Sequence, residues 1–364
     1  MANTRYRQLV LITLFLTVIV IALGAYTRLS DAGLGCPDWP GCYGQIIVPS
    51  TPDELLSANT LFPELEIDSE KAWKEMIHRY AAASLGLCIG IIFIISIFKN
   101  PLTTPKRLPF FLLLLVMFQA VLGLLTVTLK LQPVIVMGHL MGGFATLVGL
   151  FILNIKLKKL AINSASTDNL HRIERPNQNY STQTKIKNLL NRININPLFI
   201  LYVVLSVLII QIMLGGWLSA NYAAPYCPSL PGCNDASVIQ FSFKSIFELK
   251  QNSLSYEFGQ MDAQSRMSIH LLHRIWAMVT LISIVMVLIF LILKYKNKSV
   301  NGRCYIVLGL LFLQVSLGVS LIIFQFPLNV ALLHNVIAVL LLSSLVNVIC
   351  YFHFNYSKEK KVAK

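Results

Sequence analysis

The sequence predicts an all-α integral membrane protein, with eight transmembrane helices arranged as two tandem-repeat four-helix bundles. Three observations carry that expectation. Apolar residues make up 55% of the chain and charged residues 13%, with a mean hydropathy of +0.67, outside the range of soluble globular proteins. Eight apolar runs are long enough to cross a hydrocarbon core of about 30 Å, which takes about 20 helical residues. The chain also matches itself at offsets of 191 and 195 residues.

The runs lie at 8–26, 77–98, 108–129, 134–154, 197–218, 269–293, 304–325 and 329–352. The first is read as a span rather than a removable signal, because no small-residue cleavage site follows it and Arg28-Leu29-Ser30 leads straight into a Gly-rich loop. A net charge of +14 could point to nucleic acid, but its placement points to a lipid bilayer. Arg5 and Arg7, then Lys99, Lys106 and Arg107, then eight basic residues from Lys156 to Arg192, then Lys294 to Arg303, and finally Lys358 to Lys364 fall on one side of an eight-span chain. The opposite loops, with Asp31, Asp38, Asp53, Glu64, Glu66, Asp68 and Glu70 before the second span, are acidic on balance. The positive-inside rule makes the basic side cytoplasmic, with both termini there and no role for nucleic acid.

The repeat sets the domain limits. Gly24 and Cys36-Pro-Asp-Trp-Pro-Gly-Cys42 match Gly215 and Cys227-Pro-Ser-Leu-Pro-Gly-Cys233 at an offset of 191. Phe118-Gln119-Ala-Val-Leu-Gly123 matches Leu313-Gln314-Val-Ser-Leu-Gly318 at 195. An even number of spans per copy gives both the same orientation, related by an axis along the membrane normal. Residues 1–158 form the expected first bundle, 159–195 a polar cytoplasmic linker, and 196–364 the second bundle.

Chemistry is concentrated in the repeat. Glu75-Met76-Ile77-His78-Arg79 recurs as His270-Leu271-Leu272-His273-Arg274, and each motif is followed 61 residues on by a second histidine, His139 and His334. Polar groups at membrane depth are functional until shown otherwise. Two histidines on facing helices suit an iron porphyrin, whose apolar faces match a bundle interior. Zinc is disfavoured because no third or fourth ligand shares their depth. Arg79 and Arg274 could neutralise porphyrin propionates or lie as interfacial arginines with their heads in the headgroups.

Glu75 precedes His78 by three residues, on the same helix face, and only the first copy has it. A carboxylate there can take a proton or position water, whereas a histidine pair without one resembles an electron carrier; a plain helix-start residue is the bland alternative. Cys36 with Cys42 and Cys227 with Cys233 face the oxidising side, where disulfides persist. Each would be a staple stabilising by roughly 2 kcal/mol, or a redox pair near the site.

Together, Gly24-Ala25-Tyr26-Thr27-Arg28-Leu29-Ser30, Gly33-Leu34-Gly35-Cys36-Pro37-Asp38-Trp39-Pro40, Glu75-Met76-Ile77-His78-Arg79, Gly138-His139, His273-Arg274 and His334-Asn335 give the chain its resemblance to the heme A synthases of eight-span bacterial and mitochondrial type. The resemblance implies oxidation of the C8 methyl of heme O to a formyl group, with oxygen drawn from water, giving the heme A of terminal cytochrome oxidases. It makes His78 and His139 the axial residues of the substrate heme, Glu75 the catalytic carboxylate, and His273 and His334 the ligands of a permanent heme b. Cys36 and Cys42 match the family's disulfide loop. It also implies a bacterial inner (cytoplasmic) membrane location, with a heme O synthase and a membrane electron acceptor as partners, and leaves homo-oligomerisation open. A diheme b-type cytochrome without catalysis, or a heme transporter or chaperone, is the competing reading.

Overall fold

The computed structural model describes residues 2–99, 104–167, 196–230, 232–233, 241–248 and 254–362. Among them, eight helices are long and apolar enough to cross a membrane: α1 (Ala2–Leu29), α3 (Ser69–Phe98), α4 (Arg107–Thr128), α5 (Pro133–Thr167), α6 (Pro197–Ala220), α7 (Ala263–Tyr295), α8 (Lys298–Ile323) and α9 (Leu328–Val362). A shorter helix, α2 (Pro52–Leu61), lies in the loop between the first two spans. The chain is therefore a multi-pass membrane protein. Phe98 and Phe312 are 85% and 76% exposed, apolar surface that lipid covers.

The spans form two closed rings. In one, α1 packs against α3, α3 against α4, α4 against α5, and α5 back against α1. The other runs α6, α7, α8, α9 and back to α6. The rings meet along α1, α5, α6 and α9, where Phe144 and Leu147 of α5 join Leu201, Val204 and Leu208 of α6 and Leu341, Leu342 and Leu345 of α9 in one buried cluster. Half of the apolar stretch of α9 is buried, against 17–28% for the other spans, which makes α9 the seam helix.

The backbone turns recur at the sequence offsets. Asp31 and Tyr222 are left-handed at φ 51° and 53°, 191 residues apart. Lys130 and Leu131, closing the α4–α5 turn, match Gln325 and Phe326, closing the α8–α9 turn, all with positive φ and 195 residues apart. Positive φ is uncommon outside glycine, so these matched pairs are specific features of the two connections.

Several boundaries differ from the sequence reading. Asp68 caps α3 by accepting from the Lys71 N–H, and Asp262 caps α7 by accepting from the Ser265 N–H, so both helices begin before the apolar runs at 77 and 269. Capping satisfies N–H groups that have no helical partner, and the charged first turns escape a search for apolar residues. The first nine residues of the expected linker, 159–167, continue α5; the remainder, 168–195, lies outside the described residues. Helix α2 was not expected; its capping box joins Thr51 and Glu54.

At the disulfide-loop end of the seam, Arg28 of α1 crosses between the rings. It donates to the Ser219 carbonyl of α6, stacks 3.8 Å over the Tyr222 ring and lies 3.7 Å from Asp31. Arg28→Ala removes all three contacts and lowers stability by about 1–3 kcal/mol, measurable as a lower thermal unfolding midpoint of the detergent-purified protein.

Candidate heme sites

Each of the four motif histidines sits where an adjoining helix has no side chain. A Cβ at Gly24 of α1 would lie 2.8 Å from His78 Cε1, and one at Gly123 of α4 would lie 3.6 Å from His139 Cε1. In the second ring, a Cβ at Gly215 of α6 would lie 3.1 Å from His273 Cε1, and one at Gly318 of α8 would lie 3.3 Å from His334 Cε1. Glycine gives the flat ring room to approach the backbone.

The rings are brought together in pairs. His78 of α3 and His139 of α5 have centroids 6.4 Å apart and ring planes at 89°. Two imidazoles sharing one metal, each nitrogen about 2 Å from it as in metal–histidine sites, place their centroids about 6 Å apart. His334 of α9 is close enough to act electrostatically on His273 of α7. All four rings are partly open, and His78, His139 and His334 each meet a backbone group of the neighbouring helix, at Val20, Gln119 and Gln314. A ring held by the backbone on one nitrogen presents its other nitrogen to a ligand. Among the described residues no cluster of three or more His, Cys, Asp or Glu forms a metal site; a porphyrin, bringing four nitrogens of its own, asks the protein for only the two axial ones. The donor set thus fits heme iron at the first pair, and the second supplies the same two residue types.

Glu75 lies two turns inside α3 and is 5% exposed, which sets aside its reading as a helix-start residue. Its Oε2 accepts from the Cys36 N–H at 3.0 Å and its Oε1 accepts from Arg79 at 2.5 Å. Charge-assisted donors on both oxygens hold the carboxylate in one orientation. His270, in the matching place of α7, is 4% exposed, with its ring against the Ala223–Ala224 backbone and 6.1 Å from Phe326.

Both arginines are engaged with the cysteine loops. Arg79 donates to the carbonyls of Asp38 at 2.8 Å and Gly41 at 2.5 Å. Arg274 donates to Ser229 at 2.6 Å and also to Cys227. Each guanidinium clamps the cysteine loop of its own ring, and a propionate would have to share it. Cys36–Cys42 and Cys227–Cys233 are both disulfide-bonded.

In the first loop, Asp38 accepts from the N–H groups of Tyr43 and Gly44 at 2.6 and 2.8 Å. Burial first, and then Asp68, Glu75 and Asp38, push the Tyr43 phenol above its ordinary range. It stays protonated at neutral pH and donates to the Glu66 carbonyl. The loop, α2 and the start of α3 share one small core containing Cys36, Cys42, Tyr43, Ala58 and Met76.

Glutamines near the histidines escape the motif search. Gln211 Nε2 lies 3.2 Å from His273 Nδ1, and Gln314 Nε2 lies 3.1 Å from His334 Nε2. Gln314 is visible in the repeat as a match to Gln119; Gln211 is a break in it, because the residue 191 positions earlier is Val20.

The family model for COX15-CtaA, described as cytochrome oxidase assembly protein, matches residues 7–346. The chain belongs to this family. It is 42% identical over 355 residues to the heme A synthase of Shewanella oneidensis, covering 96% of this chain and 98% of the relative. It is also 25% identical to the heme A synthase of Rickettsia rickettsii (strain Sheila Smith), covering 94% and 95%, and 23% identical to that of Rickettsia akari, covering 95% and 97%. These similarities run the length of the chain, so both histidine pairs fall inside the shared region.

The glycine distances separate two substitutions. Gly24→Ala forces the His78 ring to move, whereas Gly123→Ala adds an ordinary van der Waals contact at 3.6 Å. The bound-heme absorbance of the purified protein is expected to fall in the first variant and to change little in the second.

Proposed function

We propose that the chain is a heme A synthase in which the first ring oxidises heme O and the second holds heme b. The observation that carries this is the asymmetry of two otherwise matched sites: Glu75, buried and oriented, stands one turn before His78, while His270 stands before His273. The names of the relatives supply the product, heme A, and heme O as substrate is consistent with it.

On this reading His78 and His139 hold the substrate by its iron and Glu75 faces the methyl group being oxidised. Converting the methyl to a formyl group with one water releases four protons and four electrons. Glu75 receives protons as C–H bonds are lost and orients the attacking water, a role that positioned carboxylates fill. Arg79 and the Cys36 N–H keep the carboxylate in place between turnovers. His273 and His334 would hold heme b, which would supply one-electron transfer toward a membrane acceptor. Arg274 acts as the clamp of the second loop.

The proposal extends to organisation. Residues 1–158 and 196–364 are two bundles of a duplicated unit, consistent with the matched turns and matched glycines. The basic segments place both termini in the cytoplasm and the disulfide loops outside a bacterial inner membrane. A heme O synthase delivers the substrate.

The test is the pigment extracted after co-expression with a heme O source. A formyl-bearing heme is expected from the wild type, and Glu75→Ala lowers its yield by about 10²-fold or more while heme b remains bound. Unchanged heme O from the wild type, or full activity without Glu75, would reject the reading.

A further inference from the structure

A buried amide of the first ring lacks a partner and has a place made for it. Gln119 of α4 is 9% exposed, and its Nε2 makes no hydrogen bond among the described residues. Buried polar atoms of this kind are normally satisfied. The side chain is not needed to hold the neighbouring imidazole, because the main chain of Gln119 already meets His139. It lies instead on Gly142 of α5, where an added Cβ would fall 1.7 Å from Nε2. Any side chain at 142 would evict the amide. In the second ring the matching residue is Ile337, which is buried, and the matching Gln314 lies against His334.

This amide and Glu75 lie on opposite sides of the histidine pair. Glu75 precedes His78 by three residues and Gly142 follows His139 by three, on helices that both start at the disulfide-loop end. At 1.5 Å per residue each is displaced by about 4.5 Å, in opposite directions. Heme O has a matching asymmetry. Its reacting methyl shares a pyrrole with a propionate, while its isoprenoid arm leaves the edge remote from both propionates, and the first carbon of that arm carries a hydroxyl. A porphyrin with its methyl at Glu75 therefore turns the hydroxyl toward Gln119. Heme b has a vinyl group in that place. Room for the hydrocarbon of the arm lies between α3 and α4, where Gly86 and Gly90 stand in place of Leu281 and Val285 of α7. A Cβ at Gly86 would meet only Val116, at 3.9 Å, and one at Gly90 would meet nothing within 4 Å.

We propose that Gln119, seated on Gly142, is a specificity-determining residue whose amide hydrogen-bonds the hydroxyl of the isoprenoid arm and so favours heme O over heme b at the first pair. This rests on the division of sites under Proposed function. A hydroxyl both donates and accepts, so either end of the amide can serve it. A heme with a vinyl group there leaves the amide unpaired, and a site built around a substrate hydroxyl discriminates against the analogue that lacks it.

The test uses the full-length purified protein with its second pair already filled with heme b. Three hemes are titrated into the first pair: heme O, heme b, and heme b hydrated to a hydroxyethyl group at the vinyl that heme O extends. The last carries the hydroxyl without the arm. Binding is read as the absorbance change that His78→Ala abolishes. The hydroxyethyl heme should bind the wild type about 10-fold more tightly than heme b. Gln119→Leu and Gly142→Ala should each weaken heme O and the hydroxyethyl heme by about 10-fold and heme b far less, a selective loss that damage to the fold would not give. No His78-dependent absorbance with any of the three would overturn the division of sites, and this proposal with it. Equal affinity of the wild type for the hydroxyethyl heme and heme b would overturn this proposal alone. So would heme O binding as tight in both variants as in the wild type, or an equal loss for all three hemes.

Discussion

A four-helix ring can bring two imidazoles toward its centre only if the helices behind them yield space, and four glycines at matched positions provide it. Gly24, Gly123, Gly215 and Gly318 each lie against the Cε1 edge of one histidine. Moving any of these rings outward would change the 6.4 Å separation seen for His78 and His139, and with it the ability of two side chains to share a metal.

Above each ring the cysteine loop is fastened by the arginine that follows the first histidine. Arg79 and Arg274 donate to loop carbonyls at equivalent places, Asp38 and Ser229. In the first ring the same clamp includes Glu75, whose second oxygen takes the Cys36 N–H. Loop, carboxylate and arginine therefore form one connected unit at the disulfide-loop end of the first ring. A buried ion pair of this kind stabilises little by itself; its contribution is orientation. The second ring keeps the clamp and lacks the carboxylate, a difference that matches retention of a cofactor rather than conversion of a substrate.

Much of this was legible in the sequence because it is periodic or repeated. Apolar runs give the spans, and the 61-residue spacing used twice gives the two histidine pairs. Helix starts at Ser69 and Ala263 were obscured by polar first turns, although Asp68 and Asp262 were available as capping signals. Helix α2 is short, and its Thr51–Glu54 box was its only strong mark. The arginine clamps were not legible, since Arg79 meets carbonyls some 40 residues earlier in the chain and only tertiary folding brings them together. Gln211 was hidden for the opposite reason: a search for what repeats passes over the position where the copies differ.

The central claim is that two separate histidine pairs each hold one heme iron. Electron paramagnetic resonance of the oxidised protein loaded with heme O tests it most directly. Two low-spin ferric signals are expected, one lost on replacing His78 or His139 by alanine and the other lost on replacing His273 or His334. A single signal, or one abolished by substitutions in both pairs, would contradict the account.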